Sequence, residues 1–197
     1  VYFLCNTLFE ADNRGDVTDS KFSSGTTGRG NGEKRSITIV GIGNEFRGDD
    51  GVALSILRSL KNELPPQVKT IELTGDQSSL LELMQDTDTM IIIDAVSSAA
   101  PAGTIFRVDA SGEPFPNDFF AVSTHSIDLA QSIELARTMN RLPDVVLIYG
   151  IVGKDFSFTT SFSQRVKDSA EAVRSRIASD VDQIFKRSET KQISGTL

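Results

Sequence analysis

An apolar run that passes without a break into a glycine-punctuated, acid-bearing turn constrains this chain more than any other segment. Ser36–Ile42 reads as a buried strand, and Gly41 to Ala53 (GIGNEFRGDDGVA) reads as the turn that follows it. The turn delivers two adjacent carboxylates, Asp49 and Asp50, to the start of a helix over Asp50–Leu64, where Val52, Ile56, Leu57, Leu60 and Leu64 recur at helical spacing. Strand, tight turn and amphipathic helix make the first half of a βαβ unit. In an open α/β sheet, ligands bind outside the carboxyl ends of the strands, so the chemistry is expected at this turn.

The same alternation continues along the chain. Pro65 and Pro66 end the first helix. Val68–Leu73 is the second expected strand, Ser78–Gln85 a short helix and Met90–Val96 an isoleucine-rich central strand. Thr104–Asp109 reads as an antiparallel or edge strand. Residues 111–123 form a loop, Ser126–Asn140 a helix and Val145–Val152 the last strand. Ser163–Phe185 is a long helix with Val166, Ala170, Val173, Ile177, Val181 and Phe185 on one stripe. Strands alternating with helices imply a three-layer α/β fold, and right-handed crossovers bring the ends of the first, second and central strands to one edge of the sheet. Residues 1–35, which include the glycine- and serine-rich Ser23–Gly32, are expected to be a disordered extension. Residues 36–187 are expected to form one domain, and 188–197 a polar, frayed tail.

Composition narrows the partners. The formal net charge is -7 and the pI is about 4.8. With no cluster of Lys or Arg, this argues against nucleic acid. The single cysteine, Cys5, excludes an internal disulfide and a cysteine-rich metal site, and it suits a reducing compartment. No apolar run is long enough to span a bilayer. The expectation is a cytoplasmic protein, with a monomer as the default.

Each turn after a strand supplies something polar: Asn44, Glu45, Asp49 and Asp50 after the first, Glu72 and Asp76 around the end of the second, and Asp94 near the end of the central strand. Ser123-Thr124-His125 enters a helix, and His125 is the only histidine. Carboxylates with one imidazole suit a borderline divalent ion such as nickel, zinc or copper. They leave open positions for water or substrate, and the same groups serve as general acid or base. Each also has a structural alternative. Asp49 or Asp50 is a natural helix cap, Asp94 a buried hydrogen-bonding post, and Gly41 and Gly43 a tight turn.

Other site types fit poorly. A dinucleotide fingerprint needs a third glycine two places earlier than Gly48, and Asp49 and Asp50 would face a pyrophosphate. No Gly-Lys-Ser/Thr follows the turn, and there is no G-x-S-x-G nucleophile elbow. Hydrolysis here would have to use activated water. Phe46, Phe119 and Phe120 are candidates for lining a groove, although Phe is more often core.

GIGNEFRGDDGVA, IIIDAV at 91–96 followed by PAGTIFRVDA, STHSIDLAQSIELAR at 123–137 and LPDVVLIYGIVGKDF at 142–156, in that order, resemble the maturation endopeptidases of nickel-iron hydrogenases. The resemblance runs from about Ile37 to Phe185. It implies a three-layer αβα, phosphorylase/hydrolase-like fold with a twisted, mostly parallel sheet of about five strands. It also implies an aspartyl-type peptidase that removes a C-terminal extension from the hydrogenase large-subunit precursor after nickel insertion. Carried onto this chain, the family's metal-contacting residues match Asp50, His125 and an acid ending the second strand. For that acid Glu72 is preferred, with Asp76 as the alternative. The nickel would be the precursor's own. A non-enzymatic nickel-binding chaperone module is the alternative. A peptidyl-tRNA-hydrolase-like esterase is a third reading, but this chain lacks the histidine soon after the turn and the basic surface that it requires.

Overall fold

A computed structural model of the chain describes residues 36–74, 79–112 and 124–194, with the backbone alone for 124–128 and 188–194. The expected N-terminal extension, Asp76, Phe119, Phe120 and the last three residues lie outside the described residues. The elements run β1 (Ile37–Ile42), a 3-10 turn (Gly48–Gly51), α1 (Val52–Leu60), β2 (Val68–Leu73), α2 (Ser79–Gln85) and β3 (Thr89–Val96). They continue with β4 (Ile105–Asp109), α3 (Thr124–Thr138), β5 (Val145–Val152) and α4 (Gln164–Ser194).

The five strands form one sheet in the order β2-β1-β3-β5-β4. All pairings are parallel except β4 against β5. β1, β3 and β5 are apolar on both faces because helices cover both. On one side α1 and α4 pack Val52, Leu57, Val173 and Ile177 against Ile39, Ile91, Ile93 and Tyr149. On the other, α2 and α3 pack Leu80, Met84, Leu129 and Ile133 against Val40, Ile92 and Ile148. Tyr149 is fully buried. Its hydroxyl donates to Asp180 of α4 at 2.5 Å, and Arg107 of β4 donates to both Asp180 oxygens at 3.1 Å.

The expected three-layer fold and edge strand are present. Two helix ends differ by more than two residues. α1 stops at Leu60 and the chain turns, with the N–H groups of Glu63 and Leu64 both on the Leu60 carbonyl. Pro65 sets the outer limit, because a following proline disfavours helical backbone at Leu64. At the other end, α4 continues to Ser194 rather than stopping at Phe185. The residues after Phe185 include Lys, Arg, Glu and Gln, all good helix formers, with no Gly or Pro before Gly195.

From β1 the chain moves to β2 on one side and then to β3 on the other. The β1–β3 boundary is therefore the topological switch point, where the connections diverge and leave a crevice at the carboxyl ends of the strands.

Candidate active site at the switch point

The turn between β1 and α1 is built by glycine and by a loop from the far end of the chain. Gly43 has φ +153°, and a Cβ there would lie 2.0 Å from the Asp50 carbonyl oxygen. Only glycine lets the Asp50 backbone come so close. Gly48 has φ +54°, and a Cβ there would lie 2.5 Å from the Asp155 carbonyl oxygen. The segment after β5 is stitched to this turn. Gly48 N–H donates to Thr159, Thr159 N–H to Phe46 and Asp49 N–H to Asp155.

Asp49 completes the stitching and is not a cap of its own helix. Its buried carboxylate accepts the N–H groups of Lys154 at 2.8 Å, Asp155 at 3.0 Å and Ser163 at 2.6 Å. It also accepts the Ser163 hydroxyl at 2.9 Å. Burial alone would raise its pKa, but these donors outweigh burial and hold it below the ordinary carboxylate range. Asp49 is thus a structural post. It leaves Asp50 as the half-buried acid of the turn.

Across the switch point stands Asp94, 2% exposed, with Oδ2 lacking a hydrogen-bond partner. Burial, and then the negative charge of Asp50, push its pKa up to about 8. Near neutral pH it therefore holds a proton.

Glu72 is placed differently. Along β2, Val68 packs toward α1 and α4 and Leu73 toward α2 and α3, so strand alternation puts Glu72 on the α1–α4 side. Both of its oxygens are taken by Arg58 of α1: Nε to Oε1 at 2.9 Å and Nη2 to Oε2 at 2.7 Å. Arg58 Nη1 reaches Glu45 at 2.9 Å. The hydrogen bonds from Arg58 hold the Glu72 pKa below its ordinary value. His125 lies in the first turn of α3, which packs on the opposite face, and its side chain is outside the described residues. Asp50 and Asp94 thus flank the switch point, whereas Glu72 lies on the α1–α4 side and α3, which carries His125, packs on the other. Among the described residues, no three His, Cys, Asp or Glu side chains are grouped to hold a metal ion.

The sequence singles out Asp49, Asp50, Asp94 and Glu72 as candidates but gives no sign of Arg58 beside Glu72 or of Ser163 beside Asp49. Arg58 is one charged residue on an amphipathic helix, 14 residues from Glu72, and no local pattern marks it. Phe46 is 60% exposed rather than core, and so is Phe158, at 90%, on the stitched loop.

A three-layer α/β domain with acids flanking its switch point defines a class of protein suited to activated-water or cation-linked chemistry. Comparison with known proteins is narrower. The model of the HycI family, hydrogenase maturation protease, matches residues 54–180. A Methanocaldococcus jannaschii protein provisionally named hydrogenase maturation protease is 27% identical over 158 residues, which are 78% of this chain and 99% of that protein. The hydrogenase maturating endopeptidase HybD of Escherichia coli superposes with a TM-score of 0.66 at 22% identity, over 75% of this chain and 93% of HybD. The HybD maturation protease of Thermococcus kodakarensis gives 0.58 at 25% identity, over 74% of this chain and 98% of its own. The chain belongs to the hydrogenase maturation protease family, a family of peptidases. The matched span includes Glu72, Asp94 and His125 and begins just after Asp50. Among the described residues, no helix is long and apolar enough to cross a membrane.

Proposed function

We propose that this chain is the endopeptidase that removes the C-terminal extension of a NiFe-hydrogenase large-subunit precursor after nickel insertion. In this reading Asp50, Glu72 and His125 grip the nickel that the precursor carries, with Asp76 as the alternative to Glu72, and the protein works in the cytoplasm as a monomer. The observation that carries it is the position of Asp50. It ends a turn opened by Gly43 and Gly48, at the switch point, with a buried carboxyl in its field, in a chain of the hydrogenase maturation protease family. Carboxylate and imidazole donors suit nickel. Because the ion belongs to the substrate, recognition depends on prior loading, and nickel acts as a checkpoint.

Hydrolysis of an amide needs a base for the attacking water and an acid for the leaving nitrogen. In this reading Asp50 takes the first part. With Asp94 protonated, the pair carries one negative charge rather than two. Asp50 can then accept a proton or approach a cation without a second anion beside it.

The test mixes nickel-loaded precursor with the wild-type protein and with Asp50→Ala and His125→Ala variants, and records intact masses. Loss of a C-terminal peptide only with nickel, and only with the wild type, is the expected result. Nickel-dependent complex formation without cleavage would instead make this a binding module, and cleavage by the Asp50→Ala variant would remove Asp50 from the chemistry.

A further inference from the structure

The segment between β5 and α4 carries Phe156, Phe158 and Phe162. Phe156 and Phe162 pack against the α1–α4 core. Phe158, between them, is 90% exposed, so the loop is anchored without it. The next residue, Thr159, pairs in parallel with Arg47 of the turn after β1. Thr159 N–H donates to the Phe46 carbonyl at 3.1 Å, and Gly48 N–H donates to the Thr159 carbonyl at 2.6 Å. Phe46 and Phe158 each precede a paired residue by one position, so they stand in register with their backbones about 5 Å apart. Phe46 is also exposed. Two aromatic side chains that the core does not use thus lie side by side, on the same turn that delivers Asp50.

We propose that Phe46 and Phe158 form an apolar subsite beside Asp50 that takes an aliphatic or aromatic side chain of the precursor polypeptide. The proposal rests on the endopeptidase reading and deepens it, making the two rings specificity-determining residues. Size favours this occupant. Exposed as they are, the rings offer roughly 300 Å² together, well short of the about 800 Å² per partner of a standard protein interface. That is too little for a second copy of this chain and enough for one or two side chains of an extended peptide. Position favours it as well. The Cα atoms of Phe46 and Asp50 are at most about 14 Å apart along the chain, so a side chain that meets the rings lies within about four residues of a bond cut at Asp50. The β-bridge and the Asp49 clamp hold both backbones in place, so burying the rings costs little further ordering. Rigid aromatic groups of this kind are the usual anchors of an interface.

The experiment uses the full chain and nickel-loaded precursor, and compares the wild type with Phe46→Ser, Phe158→Ser, the double variant and Phe158→Leu. Intact masses followed over time give kcat and KM, and biolayer interferometry gives the affinity for the precursor. The double variant is expected to raise KM and weaken binding about tenfold, with kcat within about twofold of the wild type. Its melting temperature is expected to stay unchanged, because the rings are exposed. Phe158→Leu keeps an apolar group and is expected to recover most of the Phe158→Ser loss. The product masses locate the cut. Serine substitution of apolar precursor residues within about four positions of it is expected to find one whose effect is not additive with that of Phe158→Ser. A double variant with KM and affinity within about twofold of the wild type overturns the proposal, as does additivity at every precursor position. A wild-type dimer that the double variant loses at unchanged precursor affinity also overturns it, since the occupant is then a second copy. If the wild type binds the precursor without cleaving it, the endopeptidase reading fails and affinity alone decides the subsite. If it neither binds nor cleaves, both fail.

Discussion

Asp49 and Ser163, 114 residues apart, are joined by two hydrogen bonds, one from the Ser163 backbone N–H and one from its hydroxyl. Ser163 immediately precedes α4, so the Asp49 carboxylate caps a helix far from its own. It adds a negative charge where that helix's dipole is positive. Lys154 and Asp155 bring their N–H groups to the same carboxylate. One buried anion thereby fixes the acidic turn after β1, the loop after β5 and the start of α4.

Replacing Asp49 by Asn removes the charge and half of the acceptor capacity while keeping the shape. Buried, charge-assisted hydrogen bonds of this kind predict a loss of about 2–4 kcal/mol, measured by urea unfolding at pH 7. Because the folded pKa of Asp49 lies below its unfolded value, its stabilisation is present above the unfolded value and is lost as pH falls through the folded one. The gap between wild type and Asp49→Asn should therefore shrink as the pH is taken below about 4.

Asp94 predicts the opposite trend. Its folded pKa is raised to about 8 from 3.8, so between those values the native state holds a proton that the unfolded chain has released. Wild-type stability then falls with rising pH through that window, by up to about 1.4 kcal/mol per pH unit from this group. Asp94→Asn, which stays uncharged, should be the more stable protein by a margin that grows from pH 5 to pH 8 in thermal or urea unfolding. A margin independent of pH would refute the protonated state.

Gly43→Ala should damage the site. The new methyl would sit 2.0 Å from the Asp50 carbonyl oxygen, so the turn has to move. The expected cost is about 1–3 kcal/mol of stability, together with loss of precursor cleavage. The control is Phe158→Ser. That side chain is almost fully exposed, and its loss should change stability by less than about 0.5 kcal/mol.

Tyr149→Phe removes a hydroxyl from the network it shares with Asp180 and Arg107. Asp180 keeps its two hydrogen bonds from Arg107, so no charge is left unpaired. The expected cost is about 1–2 kcal/mol in urea unfolding. Arg107→Ala would strip the partner from Asp180 and should cost more than the tyrosine change.

Much of the architecture was legible because it rests on local periodicity. The uninterrupted apolar runs of β1, β3 and β5 announced strands covered on both faces, and the glycine spacing from Gly41 to Gly48 announced the turn. Asp50 was legible from its place after a strand, and Asp94 from its place at the end of one. What stayed hidden is long-range. Nothing near Asp49 indicates that its donors come from residues 154, 155 and 163. Nothing near Glu72 indicates that α1 sends an arginine to it. The α1 boundary was misplaced because Leu64 continues the apolar stripe, although Pro65 disfavours a helical backbone there. The α4 boundary was misplaced because the stripe ends where the packing does, while the polar helix formers beyond it continue the helix.

The dependence of the acidic turn on residues 154–163 also orders events in time. While the chain is being made, the strand, glycines and acids of residues 37–50 emerge first, but the donors that clamp Asp49 and the carbonyls that bind Gly48 and Asp49 do not yet exist. A nascent or C-terminally truncated protein that stops before Lys154 has Asp49 and Asp50 without the frame that holds them. The acidic turn is therefore fixed only once the loop after β5 and the start of α4 have been made.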